Sequence, residues 1–330
     1  MRRTLALSGV ASLAALVTFA ACVGEDPVGS PGPSADASLE ASPGADGSAS
    51  NDSGPASDAG ADAAAPPCDL DKPFGALELV PGVNAGTEDD RLPYLSPDEL
   101  TMYFTSARPT TDGGAATLAI WRATRAVNGG PFGGLTPVAE VNALSEVSGP
   151  AISADGASLV FEYLDVDHTD LYVSTKSSGV WSAPAKLGNG INTPDGEGFA
   201  YLVGDELWFS RGYSAQLPDM WRAPKSGSTW GPPVRVDELS AKGAIAPVLT
   251  PDGRRIYFGS FDVDNYDVWT ASRASSTGAF GVPSTVAELK TDGTEIPRWV
   301  SPDGCRLYVS QLRRNGGSDF DIMVASKPKR

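Results

Sequence analysis

A turn built on Ser/Thr-Pro-Asp-Gly, or a near variant of it, returns five times along the chain. No other feature narrows the possible folds as far. It reads LSPDEL from residue 95, ISADGA from 152, LVGDEL from 202, LTPDGR from 249 and VSPDGC from 300. Its aspartates, Asp98, Asp155, Asp205, Asp252 and Asp303, are spaced 57, 50, 47 and 51 residues apart. Proline presets φ and glycine tolerates φ above zero, so the phrase is turn chemistry. Self-similarity at a fixed period of this size marks one supersecondary unit that buries its apolar face against the next copy.

Each turn is followed by a short apolar or alternating segment: TMYFTS, SLVFEY, ELWFS, RIYFGS and RLYVSQ. A loop and a second such segment come next: AIWRAT, DLYVST, DMWRAP, DVWTAS and DIMVAS. Then an aromatic residue in a Gly/Pro setting (Phe132, Trp181, Trp230 or Phe280) leads into an outer segment such as TPVAEVN or STVAELK. Before the turns stand further apolar stretches such as PYL, PAI, APVL and RWV. With no sustained helical period, this pattern predicts four short strands per unit. Four strands recurring at about fifty residues describe a propeller blade. The fifth copy stops after its third strand, whereas KPFGALELVPGVN at 72–84 repeats the outer phrase ahead of the first copy. The expectation is an all-β, five-bladed β-propeller over residues 68–330, with the N-terminal strand completing the last blade.

Residues 1–67 read differently. Arg2 and Arg3 precede a largely apolar run from Leu5 to Phe19, and small residues stand directly before Cys22. Residues 1–21 resemble a bacterial lipoprotein signal peptide, which implies lipidation of Cys22. Val23 behind it, rather than Asp, implies delivery to the outer membrane, facing either the periplasm or the outside. The alternative is an ordinary secretory signal or an uncleaved anchor, although the apolar run is short for a spanning helix. Residues 22–67 are mostly Ala, Ser, Gly, Pro and Asp. Such a segment cannot offset the entropy of ordering and is expected to be a disordered, acidic tether extended by its own charge. Without the two arginines of the leader and the eight acids of the tether, 33 acids face 23 bases, a net charge of −10. That balance argues against a phosphate-neutralising nucleic-acid face.

Within the repeats, WSAPAKLGNGIN, SPDG, LYVS and DVW are similar to the WD-repeat-like propeller units of the TolB type, common in bacterial envelope proteins. The resemblance covers residues 72–330. It implies non-catalytic binding of an envelope protein partner, by a propeller expected to be monomeric and to need no cofactor. The family also includes propellers attached to peptidases; these need a separate hydrolase domain, for which no room is expected here. The sequence contains no G-x-S-x-G elbow. Its single histidine, His168, excludes a histidine-rich zinc site.

Two loops share the phrase D-x-D-x-x-D, with Asp165, Asp167 and Asp170 in one and Asp262, Asp264 and Asp267 in the other. The third aspartate recurs as Asp219 and Asp321, with Ala119 in the first unit, and reads as a structural acceptor of local backbone N–H groups. The pairs Asp165/Asp167 and Asp262/Asp264 have two readings, a solvated loop or a weak calcium site. Against an EF-hand, the twelfth loop position is Lys176 or Arg273 rather than Glu. In a four-stranded meander these loops share a face with the connections between blades, which hold Glu88, Asp89, Asp90, Glu146, Asp195, Glu197, Asp292 and Glu295. One acidic face is therefore expected, suited to cations or a basic partner.

Glycoside hydrolysis or sugar binding is the alternative function, because it needs only two placed carboxylates. Glu88, Glu146, Glu197 and Glu295 precede the inner segments at the expected channel mouth, and a sugar would protect Tyr94 or Trp299. Repetition of a residue around a ring points to structure rather than catalysis. Cys68 and Cys305 remain, either as one disulfide pinning the closure or as two unpaired thiols.

Overall fold

The apolar stretch ahead of each turn becomes the innermost strand of an antiparallel sheet, and five such sheets form a five-bladed β-propeller. The computed structural model describes residues 67–330, except 85, 87, 111–116, 166, 213–216, 228, 241–242, 263–264 and 313–318. The signal peptide, Cys22 and the tether up to residue 66 lie outside the described residues. Counted outward from the axis, blade 1 holds Asp90–Leu95, Thr101–Ser106, Ala119–Thr124 and Gly133–Pro137. Blade 2 holds Val147–Ile152, Ser158–Asp165, His168–Ser177 and Ala185–Lys186. Blade 3 holds Glu197–Val203, Glu206–Arg211, Asp219–Ser226 and Val234–Arg235. Blade 4 holds Ala244–Leu249, Arg255–Asp262, Asn265–Ser272 and Ser284–Thr285. Blade 5 takes Glu295–Val300, Arg306–Leu312 and Phe320–Ser326 from the end of the chain, and Glu78–Leu79 from its beginning. Phe104, Phe161, Phe209 and Phe258, with Val309 in the last blade, are buried at one register position of the second strands.

The repeated turns owe their shape to the aspartate. Ser96, Ser153, Thr250 and Ser301 each donate a hydroxyl to the aspartate two residues on, which also accepts the backbone N–H two residues further along. The hydroxyl bond is the main cause that holds Asp98 and Asp155 below the ordinary carboxylate range.

The outer phrase departs from expectation. Only its first residues pair as a strand, two residues long in blades 2 to 5. The remainder turns back, and in three blades ends in an asparagine that brackets the third strand. Asn142 accepts the N–H of Ile120 at 2.9 Å and donates to its carbonyl at 2.9 Å. Asn192 does the same at Leu171 and Asn84 at Ile322. One side-chain amide satisfies both backbone groups of that residue, so no longer strand is needed there.

Neighbouring blades are stitched by a bulge in each inner strand. Leu92, Phe199 and Ala246 take φ of 53°, 54° and 54°, a left-handed conformation that L-residues rarely adopt. In blades 1 to 4 the bulge turns an N–H toward the second strand of the preceding blade. Leu92 donates to Ser310 Oγ at 2.8 Å, Gly149 to Thr105 Oγ1 at 3.0 Å, Phe199 to Glu162 Oε1 at 2.5 Å and Ala246 to Ser210 Oγ at 3.2 Å. In blade 5 the corresponding residue is Pro297, which has no N–H, and the residue in the acceptor's place is Gly259, which has no side-chain acceptor. Ser310→Ala, which strands the Leu92 N–H at a buried seam, is expected to cost about 1–3 kcal/mol, measured by urea unfolding.

The ring closes where its two ends meet. Glu78 pairs with Val324 and Leu79 with Met323, and the Gly75 and Val80 N–H groups donate to Ser326 and Ile322 carbonyls. Beyond that strand a disulfide joins Cys68 to Cys305, Cα to Cα 5.8 Å, with both residues buried. Among the described residues no helix is long and apolar enough to cross a membrane.

Candidate functional site

All five inner strands run to the same end of the axis, and the repeated turns surround a pocket there. It has a volume of about 240 Å³ and walls of Leu95, Ile152, Leu202, Leu249 and Val300, rimmed by Pro97, Pro251 and Pro302. Tyr94, Tyr201 and Trp299 also line it, with Ala154, Val203 and Gly204. The tyrosines are spokes across the axis rather than proton donors for a ligand. Tyr94 donates to the Leu202 carbonyl at 2.9 Å and accepts the Leu202 N–H at 3.2 Å, and Tyr201 donates to the Leu249 carbonyl at 3.0 Å. Their rings lie 5.3 Å apart, and burial pushes both phenols well above their ordinary range. Arg298 is buried beside them, its guanidinium 5.5 Å from the Phe199 ring centre. Among the described lining residues there is no carboxylate, histidine or cysteine. Tyr94 and Trp299 were expected near the channel; Tyr201 and the rim prolines were legible only as strand and turn residues.

The acidic residues lie at the other end of the blades. The register sets Asp90 opposite Ser106, Glu197 opposite Arg211, Glu295 opposite Gln311, Asp165 opposite His168 and Asp262 opposite Asn265. Sharing an end does not make them a shared surface. Asp90 is buried against Arg108 at 2.7 Å, and Glu197 is buried against Arg211 at 2.8 Å with both Thr193 donors. Glu295 is buried too, accepting from Thr291 and Gln311. Asp89 is half-buried, paired with Arg91 at 3.2 Å and accepting the Phe320 N–H at 3.1 Å. Glu88, Glu146 and Asp165 are half-buried, while Asp167, Asp195 and Asp292 are exposed. Glu197 and Glu295 thus serve their own blades, because the strand beside each brings a donor to it, and they are not available to a ligand at the rim. None of Glu88, Glu146, Glu197 and Glu295 lines the axial pocket.

The D-x-D-x-x-D loops resolve in a similar way. Asp170 and Asp267 are fully buried, but their ion partners are lysines from the outer phrase rather than local backbone N–H groups. Lys186 Nζ lies 2.6 Å from Asp170 Oδ2, and Lys290 meets Asp267. Asp219 pairs with Arg235 at 2.8 Å in the same manner. The expected Asx-type turn gives way to a cross-strand ion pair, since a buried carboxylate is stabilised more by a facing cation than by a neutral donor. Lys186 Nζ also stands 3.8 Å from Asp165 Oδ2. Asp264 lies outside the described residues, as does the side chain of Asp262. Among the described residues no three His, Cys, Asp or Glu side chains converge as a metal site would require.

Burial is the largest cause acting on Glu197 and Glu295 and raises both above the ordinary value of 4.5. In the interval between 4.5 and the raised value the folded state holds a proton that the unfolded chain has lost, so stability falls as pH rises through it. Glu295→Gln keeps the neutral shape at every pH. It is expected to melt above the wild type at pH 8 and level with it below pH 4.5, read from thermal unfolding at the two pH values.

No family model and no curated protein matches the chain. Among solved structures it is similar to Zg3597, a family 117 glycoside hydrolase produced by the marine bacterium Zobellia galactanivorans. The identity is 14%, the TM-score 0.53, and the match covers 77% of this chain and 90% of that one. It is also similar to TolB from Acinetobacter baumannii, at 17% identity and TM-score 0.42, over 74% of this chain; the match spans only 56% of that protein. A third is the α-L-arabinofuranosidase PaAbf62A from Podospora anserina in complex with cellotriose, at 12% identity and TM-score 0.47, over 79% and 98%. At these identities the likeness is one of fold: the class is the five-bladed β-propeller.

Proposed function

We propose that this chain is a non-catalytic lipoprotein of the cell envelope, anchored through Cys22 to the outer membrane, whose propeller binds a protein partner. The observation that carries the binding reading is the axial pocket: its walls are apolar and aromatic, its tyrosine hydroxyls are spent on backbone carbonyls, and its described lining residues offer no acid or base. Such a pocket fits an apolar side chain or proline of a partner seated over the turn face, by the rule that apolar clefts with few polar groups are binding sites. The reading needs no cofactor.

The test is crosslinking in intact cells that make the protein. The wild type is expected to capture one specific partner. Val203→Asp, which sets a carboxylate on the half-buried pocket wall, is expected to reduce that capture at least about tenfold with little change in Tm. Equal capture by both proteins would move the docking surface away from the axis. Cys22→Ala is expected to shift the protein from the membrane fraction to the soluble fraction, and unchanged fractionation would remove the anchor from the proposal.

A further inference from the structure

Four of the five clefts between blades are packed alike. The third residue of the second strand presents a ring to the next blade: Tyr103, Trp208, Tyr257 and Tyr308. Tyr103 meets Trp181 with ring centres 6.3 Å apart, Trp208 meets Phe280 at 6.2 Å, and Tyr257 meets Phe74 at 5.9 Å. Tyr308 reaches the next blade through Arg125, which donates to its hydroxyl. A cation at or just past the end of the third strand then covers the facing ring: Arg125 over Phe132 at 4.5 Å, Lys176 over Trp181 at 5.1 Å, Arg273 over Phe280 at 4.4 Å and Lys327 over Phe74 at 4.4 Å.

The cleft between blades 2 and 3 lacks this filling. The third residue of its second strand is Val160. The ring opposite, Trp230, is half-buried, where Phe74, Phe132, Trp181 and Phe280 are buried. Lys225, at the place of the covering cations, is exposed. What remains is a cavity of about 420 Å³, walled by Val160, Val173, Leu187, Leu202 and Trp230, with Lys225 at its edge. Its Trp230 side is held in place from across the cleft, where Asn189 Nδ2 donates to the Trp230 carbonyl at 2.6 Å.

We infer that this cleft binds an aromatic ring, which takes the place that a tyrosine or tryptophan fills in its counterparts. An apolar cavity of about 150 Å³ is enough to hold benzene, and pockets for small ligands start near about 300 Å³. The ring packs on Val160 with an edge toward Trp230, and the Lys225 ammonium supplies the cation that the other clefts place over a ring. The occupant is a free aromatic compound, which a cavity of this volume can take in whole; a partner's side chain in its place is an outcome that the test separates. The inference stands on the comparison of clefts and does not depend on what the axial pocket binds, although Ala154, Leu202 and Gly204 line both.

Indole is the probe, titrated into the purified mature protein and followed by saturation-transfer NMR and calorimetry. Binding with a Kd below about 5 mM is expected. Val160→Tyr and Val160→Trp supply the ring from within the chain, and are expected to weaken indole binding at least about tenfold while raising Tm by about 2–4 °C. Trp230→Ala removes the opposite wall and is expected to abolish binding even if the larger residues at 160 fail to fold. No indole binding by the wild type, or binding unaffected by these variants, would overturn the inference. A small compound released by denaturing the wild type but not Val160→Trp identifies a free ligand. A protein crosslinked to the wild type but not to Val160→Trp identifies a partner's side chain.

Discussion

Replacing Cys68 and Cys305 by alanine is expected to lower stability by about 2–5 kcal/mol, equivalent to a fall in Tm of about 5–15 °C. The bridge spans 237 residues, so almost the whole ring lies inside the loop that it closes. In the chain-entropy account a loop of that length lies at the upper end of disulfide stabilisation, about 5 kcal/mol. Its own strand is only two residues long, held with the Gly75–Ser326 and Val80–Ile322 bonds and the Asn84 bracket; beyond it the two ends meet in one isolated backbone pairing, Cys68 opposite Lys329, with bonds from Asp69 to Pro328 and from Arg330 to Pro67. Without the bridge, opening of blade 5 exposes the edge of Phe320–Ser326 and becomes the first step of unfolding. Thermal unfolding of the double variant beside the wild type measures the effect. Equal melting would show that the strand and its asparagine, Asn84, hold the ring unaided.

Glu99→Ala is expected to cost a comparable amount, about 3–5 kcal/mol, by leaving the buried Arg125 without its carboxylate and the half-buried Arg306 with Asp303 alone. Glu99 occupies the place in its turn that Gly156, Gly253 and Gly304 occupy in three others, and it shares their left-handed conformation at φ 59°. That conformation costs an L-residue about 1–2 kcal/mol. The offset comes from what the carboxylate does at the seam between the last blade and the first. Arg306 donates to it from Nε at 2.8 Å and also from Nη2, Asn128 donates at 2.9 Å, and Arg125 Nε binds the Glu99 carbonyl at 2.7 Å. Tyr308 closes the cluster at 3.3 Å, its phenol pushed up to about 12 chiefly by burial. Glu99→Gly relieves the backbone but not the charges, and is expected to be less harmful than alanine by about 1 kcal/mol. Urea unfolding of both variants tests this. A Glu99→Gly protein at least as stable as the wild type would mean that backbone strain outweighs the ion cluster.

Much of the fold was legible before any coordinates. The aspartate turns, the apolar segments between them and the phrase left over at residues 72–84 are local signals, and local signals are enough to count blades and to see that the first strand belongs to the last blade. The recurrent asparagines at 84, 142 and 192 were also visible, but not their grip on the third strand, which joins residues about twenty apart, or 238 apart for Asn84 and Ile322. The glutamate that replaces glycine in the first turn was visible as an exception. Its meaning was not, because Arg306 is 207 residues away.

The candidate site was read less completely. A row of acids before each inner strand reads as an acidic face when only neighbours in sequence are considered. Folding sets Arg108 beside Asp90, Arg211 beside Glu197 and Lys186 beside Asp170, and turns much of that charge inward. The amino-acid order therefore determined the three inner strands of each blade, the turns, the number of blades and the way the ring closes, since each depends on residues within one repeat or on the repeat itself. Which acids are neutralised, where the axis opens into an apolar pocket, and that Val160 faces Trp230 across an unfilled cleft were decided by the tertiary structure alone. The ion pairs depend on distances between side chains on separate strands, and the pocket and the cleft on distances between blades; no local pattern encodes such a distance.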